Sequence, residues 1–278
     1  MSFKINSNIG ALNANLNSNI NSGGVNKSLK SLASGSALSG ASYNSAGLAI
    51  ANQLSAQVNG LGQSIMNAND SIGLIQVADG ALQEYENILE EVRNLSIQAS
   101  NDTLSSGDRN IIQRQIDSLM SSADNIAKTT KYNGINLLDG TGGSSGDGTF
   151  VTQSGANSGE TQSVSIGDAQ SASVLGGSVI DVTTHANASL SIDTIDAALK
   201  NISNIRADLG AAQNQLISTI ENTSVTQINI ASAESQMRDI DFAAESANFS
   251  KANILMQSGS FAQAQANASQ ASVLNLFK

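Results

Sequence analysis

Apolar residues recur with a heptad period through the first half of the chain. Between Leu54 and Val92 they are spaced by steps of four and three residues, as in helices that pack along their length in a coiled coil. The chain contains no proline, the residue that most strongly breaks helices. We therefore predict one long helix over residues 48–100. Its predicted core positions are Leu54, Val58, Leu61, Ile65, Ile72, Ile75, Leu82, Leu89 and Val92.

Helical periodicity returns in the last third of the chain, between Ile192 and Thr223. Long helices that are joined by a chain reversal pack antiparallel, so this helix should share a core with the first one. The predicted fold is mainly α: a long antiparallel coiled-coil rod with a small β-hairpin region. The second helix contributes the predicted core positions Leu199, Ile202, Leu209, Leu216 and Ile220.

Shorter elements are predicted between these two helices. A break after residue 100 precedes an amphipathic pattern over residues 111–126, and Ser106 or Asp108 is a candidate cap for that helix. Ser191 is the candidate cap of the second long helix.

The middle of the chain is rich in Gly, Ser and Thr. Asn133-Gly134 is a favourable turn pair between short extended pieces. Three further alternating runs predict one or two β-hairpins with loops, over Thr149–Gln153, Gln162–Ile166 and Val179–Thr183.

Both ends of the chain lack charged residues, although the formal net charge is -10. No Asp, Glu, Lys or Arg lies between Lys4 and Lys27, or from Ala252 to Phe277. Each end instead carries a narrow apolar stripe on an Asn-, Gln-, Ser- and Ala-rich helix. The stripe positions are Ile5, Ile9, Leu12, Leu16, Ile254, Leu255, Phe261, Val273, Leu274 and Phe277.

Two such stripes alone would bury too little apolar surface to offset their ordering entropy, so we expect disordered ends in an isolated subunit. If many subunits gathered their ends, the stripes would bury one another. A charge on every copy would then face its equivalents at low dielectric, and neutral amide-rich faces avoid that cost. The alternative is two floppy polar termini, which need no apolar stripe.

Composition excludes several functional classes. The pI of about 4.4 and the lack of a basic patch argue against nucleic-acid binding. No apolar run is long enough for a membrane helix, and the amino terminus lacks the basic-then-apolar run of a cleavable signal peptide. Cysteine is absent and His185 is the single histidine, so we expect no metal site, no cofactor and no enzymatic activity.

Several long segments resemble the bacterial flagellins in sequence, order and spacing. The similar segments cover residues 1–140 and 190–278 and include Ser45–Leu82, Asn133–Gly140, Leu209–Leu216 and Arg238–Gly259. The resemblance implies a structural subunit that polymerises into a helical flagellar filament for swimming motility. It also implies secretion and an extracellular location. The central insert is short here, so we expect no large outer domain.

The resemblance further implies a division into five segments. Residues 1–44 and 236–278 would form an inner tube, while residues 45–140 and 190–235 would form the helices of an outer-tube rod. Residues 141–189 would be a short β-rich variable region. The implied partners are other copies of the chain, the flagellar export apparatus, a chaperone, and cap and hook-associated proteins.

One flagellin motif departs from its usual form. Flagellins that are sensed by the host toll-like receptor carry Leu-Gln-Arg-Val-Arg-Glu-Leu in the long helix, whereas this chain has Leu-Glu-Glu-Val-Arg-Asn-Leu over Leu89–Leu95. Only Arg93 keeps its charge, and Glu90, Glu91 and Asn94 replace the other polar residues. We expect weak receptor activation or none.

Two other functions remain open from the sequence. A hook–filament junction protein would share the terminal helices but should lack the long matches in the rod and near residue 240. A secreted binding or adhesion module would bind through residues 140–190 without forming a polymer.

Overall fold

The fold is mainly α with two small antiparallel hairpins, as predicted. The computed structural model describes residues 7–42 and 44–276. The helices are α1 (Ile9–Ser34), α2 (Ser45–Ala99), α3 (Ser106–Thr129), α4 (Ser171–Val174), α5 (His185–Arg238) and α6 (Phe242–Leu276). The strands are β1 (Lys131–Tyr132), β2 (Ile135–Asn136), β3 (Thr149–Gln153) and β4 (Thr161–Ser165).

The described residues fall into two compact units. The central unit comprises residues 57–228, and the terminal unit comprises the residues up to 56 together with those from 229 onward. The five-segment division made from the sequence stays a prediction.

One apolar core occupies the central unit and takes residues from α2, α3 and α5. Of the predicted core positions, eight are buried: Leu61, Ile75, Leu82, Leu89, Val92, Ile202, Leu209 and Leu216. Five are partly buried in the same unit: Val58, Ile65, Ile72, Leu199 and Ile220. Leu54, in the terminal unit, is also partly buried.

The glycine-rich middle of the chain supplies core residues that the sequence did not single out. Leu137 and Leu138 follow β2 and are fully buried. Other buried side chains of this region are Val164, Ile166, Ala169, Val174, Ile180 and Val182. Residues 137–182 therefore form part of the central unit and share its core.

A close backbone approach explains one glycine of the middle region. Gly143 has a φ of 82°, and a Cβ added to it would lie 2.0 Å from the carbonyl oxygen of Thr149. No side chain fits in that space, so glycine is required where the loop meets β3.

Three local predictions were wrong. Ser105, not Ser106, caps α3: its hydroxyl accepts from the Asp108 N–H while the Asp108 carboxylate accepts from the Ser105 N–H, in a capping box. Helix α5 begins at His185, and the predicted cap Ser191 lies inside it.

Residues 179–183 form no strand. The Gln113 side chain bonds their backbone instead, since its Oε1 accepts from Val182 N at 2.7 Å and its Nε2 donates to the Ile180 carbonyl at 3.0 Å. The turn at Asn133-Gly134 and strands β3 and β4 agree with the prediction.

Candidate assembly surface on the terminal unit

Helices α1 and α6 pack against each other through small side chains. A Cβ added to Gly24 would lie 3.8 Å from the Cβ of Ala252, and one added to Gly259 would lie 3.8 Å from Ser18. The facing residues are at least partly buried: Ala11, Ala14, Ser18, Val25 and Ser28 of α1, with Phe249, Ala252, Met256, Gly259, Gln263 and Ala266 of α6. We call this packing line the seam.

The seam pairs the two chain ends as helices, while the expected disorder of these ends in an isolated subunit stays a prediction. Small residues let two backbones approach closely, so the helices pair without a large apolar core. Within α1 only Ser28 and Ser31 are buried, and among the described side chains of α6 none is buried. Pairing therefore removes little apolar surface from water.

The large apolar residues of α1 lie on the other side of the helix. Ile9, Leu12, Leu16 and Ile20 recur every three or four residues and form one stripe, about half a turn round the helix from the seam. All four are exposed, and Leu12 keeps 67% of its surface accessible. Among the described residues, pairing with α6 leaves the four side chains of this stripe exposed.

Helix α6 repeats the arrangement. Ile254 and Phe261 are one heptad apart and also lie about half a turn from the seam. Phe261 is 75% exposed, and Leu255 is exposed near them. Ile5 and Phe277 lie outside the described residues, as do the side chains of Val273 and Leu274.

Backbone pairing holds the α1–α6 pair where α5 joins α6. Gly35 ends α1 in the left-handed conformation with φ 67°, Ala37 N donates to the Arg238 carbonyl at 2.8 Å, and Ile240 N donates to the Gly35 carbonyl at 3.2 Å. We call this end of the pair the base and the end near Asn8 the tip.

The receptor-motif position lies on α2, away from the stripes in sequence. Glu90, Glu91 and Asn94 are exposed. Arg93 is engaged within the chain: its Nε lies 2.6 Å from Asp196 Oδ1 and its Nη2 lies 3.3 Å from Asp196 Oδ2. The hydrogen bond from Arg93 lowers the pKa of Asp196.

The only histidine takes no part in a metal-binding group. His185 Nε2 lies 3.9 Å from Asp102 Oδ1, and both side chains are exposed. In residues 7–42 and 44–276, no three His, Cys, Asp or Glu side chains gather as metal ligands would. Over the same residues, no helix combines the length and apolar character needed to span a membrane.

A mainly α fold, with exposed apolar stripes in charge-free stretches of two paired helices, defines a structural protein suited to association with further copies. Family comparison is more specific. The model of the bacterial flagellin N-terminal helical region matches residues 5–142, and that of the C-terminal helical region matches residues 192–277. The chain belongs to the bacterial flagellin family and is a structural subunit of the flagellar filament.

Curated relatives match over almost the whole chain. Flagellin of Halalkalibacterium halodurans is 38% identical over 275 residues, which are 99% of both chains. Flagellin of Bacillus subtilis is 37% identical and covers 99% of this chain and 100% of its own. The flagellar filament 33 kDa core protein of Treponema phagedenis is 35% identical and covers 91% and 92%.

Solved structures share the fold. The crystal structure of Bacillus cereus flagellin aligns with a TM-score of 0.51 and 28% identity, over 61% of this chain and 94% of that chain. A putative flagellar hook-associated protein from Vibrio parahaemolyticus aligns with a TM-score of 0.55 but only 14% identity, over 67% of this chain and 95% of that chain. The second likeness is one of fold alone.

Proposed function

We propose that copies of this chain join through the two apolar stripes of the terminal unit, and that this contact forms the inner part of the extracellular flagellar filament. The observation that carries the proposal is the exposure of Leu12 and Phe261 on helix faces turned away from the seam. The stripe residues Ile5, Ile9, Leu12, Leu16, Ile254, Leu255, Phe261, Val273, Leu274 and Phe277 are the proposed contacts.

Burial of these stripes supplies the driving force. A fully buried Leu, Ile or Phe side chain contributes about 1.5–3 kcal/mol relative to an exposed one. The charge-free helix surfaces around the stripes, between Lys4 and Lys27 and from Ala252 to Phe277, allow copies to pack without repeating a buried charge. Neighbouring amides then hydrogen-bond across subunits or to water.

The two stripes differ in sequence and belong to different helices. When unlike surfaces of identical subunits meet, the contact repeats from copy to copy and generates a helical polymer if the rotation does not close a ring. This property suits a filament of many identical subunits.

Replacing Leu12 with Gln tests the stripe of α1. Leu12→Gln keeps helix propensity but removes an apolar contact, so we expect seeded elongation by purified subunits to slow at least about tenfold. The matched control is Leu190→Gln, because Leu190 is 65% exposed on α5 in the central unit. Electron microscopy of seeds after a fixed time measures growth; equal growth of the two variants would contradict the proposal.

Family membership supports proposals for the remaining partners. We propose that the flagellar export apparatus secretes the chain and that a chaperone binds it. Cap and hook-associated proteins would then contact it during growth and attachment of the filament. Co-purification of the full chain with each partner from flagellated cells tests these assignments one by one.

Recognition by the host toll-like receptor should be weak. Glu90 and Glu91 put negative charge on the exposed face of α2 where the sensed flagellins have Gln and Arg, and Arg93 is held by Asp196. A reporter-cell assay with purified subunit should give little response. Substituting Glu90→Gln, Glu91→Arg and Asn94→Glu together should raise it; a strong response from the unmodified chain would overturn this proposal.

A further inference from the structure

The buried residues that α2 and α5 contribute to the central unit repeat every seven residues. Two helices with such repeats can slide by one heptad and still place apolar residues opposite apolar residues. Toward the middle of both repeats the residues are all Ile or Leu, so these side chains distinguish only weakly between neighbouring alignments. The repeats are Leu61, Ala68, Ile75, Leu82 and Leu89 on α2, and Ala188, Ile195, Ile202, Leu209, Leu216 and Thr223 on α5.

Arg206 of α5 binds two acidic residues of α2. Its Nε lies 2.8 Å from Asp79 Oδ1, and its Nη1 lies 2.6 Å from Glu86 Oε2. Asp79 and Glu86 are one heptad apart, so the guanidinium lies between equivalent positions of two successive repeats. We propose that Arg206 is a positioning residue that selects one alignment of α2 and α5 from those that their apolar repeats allow.

A contact farther along both helices has the same alignment. Gln227 Nε2 of α5 donates to the Val58 carbonyl of α2 at 3.1 Å. Gln227 lies three heptads after Arg206, and Val58 lies three heptads before Asp79. The alignment that Arg206 marks is therefore kept over at least three repeats.

A charge of opposite sign continues the row of acidic residues on α2. Asp79, Glu86 and Arg93 follow one another at heptad spacing. Arg93 Nε lies 2.6 Å from Asp196 Oδ1 of α5. In the observed alignment each charge of this row faces an opposite charge, because the two acidic residues meet Arg206 and Arg93 meets Asp196.

Sliding α5 by one heptad spoils this match in either direction. One slide puts Arg206 between Glu86 and Arg93 and moves Asp196 past the end of the row. The opposite slide puts Asp196 beside Glu86 and leaves Arg206 with Asp79 alone. Each slide thus loses attractive contacts and brings two like charges together, which disfavours the wrong alignment as well as stabilising the right one.

The alignment matters to a filament subunit because every copy must present the same surface. A slide of seven residues moves the outward residues of α5 by about 10 Å along α2. A copy with that fault would not repeat the contacts of its neighbours. The inference concerns folding of the central unit and does not depend on the proposed contact through the stripes.

Interrupted refolding of the full chain from urea tests the role of Arg206. Aliquots returned to urea at intervals are followed by circular dichroism, and the fraction that unfolds at the native rate is correctly aligned. The chain has no proline and no cysteine, so prolyl isomerisation and disulfide exchange cause no slow phase. Arg206→Lys keeps the charge but not the planar fork, whereas Arg206→Gln loses both. We expect a slow phase from Arg206→Gln and none from Arg206→Lys.

Two double variants provide a matched pair. Arg206→Glu is combined either with Asp79→Arg or with Glu86→Arg. In the observed alignment, each combination gives the new carboxylate one arginine and one acidic neighbour, so both variants should resist urea alike. After a slide they differ: with Glu86→Arg the new carboxylate lies between two arginines, and with Asp79→Arg it lies between Glu86 and Arg93.

The misaligned fraction early in refolding should be about fivefold larger with Glu86→Arg than with Asp79→Arg, as two ion pairs of ordinary strength allow. Spin labels at Ile97→Cys of α2 and Ile217→Cys of α5, both exposed positions, identify misaligned molecules. Double electron–electron resonance on samples frozen early in refolding should show a label separation about 10 Å shorter than the native one.

Three results would overturn the inference. The first is an equal misaligned fraction in the two double variants. The second is a slowly refolding fraction whose labels keep the native separation. The third is a slow phase as large in Arg206→Lys as in Arg206→Gln, since the sign of the charge would then not select the alignment.

Discussion

Removal of residues 252–278 is expected to abolish seeded elongation while the central unit stays folded. The deletion takes away Ile254, Leu255 and Phe261 and leaves the seam face of α1 without a partner over much of its length. Loss of several buried apolar side chains should reduce elongation more than about a hundredfold. Electron microscopy measures elongation, and circular dichroism measures retained helix.

A full-length variant separates the two effects of this deletion. Ile254→Gln with Phe261→Gln keeps the seam residues Ala252 and Gly259 and removes only the stripe of α6. We expect it to stay helical and to elongate as poorly as the truncated chain. Normal elongation by the double variant would show that α6 is needed for pairing alone, and elongation by the truncated chain would contradict the role of the whole segment.

Leu82→Ala should cause a large loss of folding stability. Leu82 is fully buried in the core that α2 shares with α3 and α5. Truncation removes its transfer free energy and leaves a cavity, so the free energy of unfolding should fall by about 3 kcal/mol. Urea unfolding followed by circular dichroism measures the change, because the chain has no tryptophan.

Leu190→Ala is the matched control for this substitution. Leu190 lies on α5 with most of its surface exposed, so the free energy of unfolding should change by less than about 0.5 kcal/mol. If the free energy of unfolding fell equally in the two variants, the heptad positions would not be the ones that stabilise the core.

Large side chains are the reason that α2 was predictable. A heptad pattern is recognisable only when Leu, Ile and Val occupy the inward positions, as Ile75, Leu82 and Leu89 do. Most residues of the seam of α1 and α6 are Ala, Ser and Gly, which also fill exposed positions of the same helices. The sequence therefore revealed the outward stripes but not the inward seam.

Two other wrong predictions arose where a side chain forms hydrogen bonds that the sequence pattern does not reveal. Ile180 and Val182 alternate and are buried like residues of a strand, but the Gln113 amide takes the place of a neighbouring strand. Ser191 is of a residue type that often caps helices, yet its hydroxyl donates to the Asp181 carbonyl from inside α5.

Ion pairs between distant segments were beyond prediction as well. Arg206 binds Asp79 and Glu86, which lie 127 and 120 residues away. The sequence around a charged residue on a solvated helix does not identify its ion-pair partner. The partner depends on how α2 and α5 align. The candidate stripes, in contrast, were found because each is apolar within a neutral segment.

Because the stripe of α1 differs from the stripe of α6, the two ends of a polymer also differ. A polymer built by joining one to the other leaves a free α1 stripe at one extremity and a free α6 stripe at the opposite one. Such a polymer is directional, and an incoming subunit meets chemically distinct docking surfaces at its two extremities. Growth restricted to a single extremity then requires no marker beyond the subunit itself.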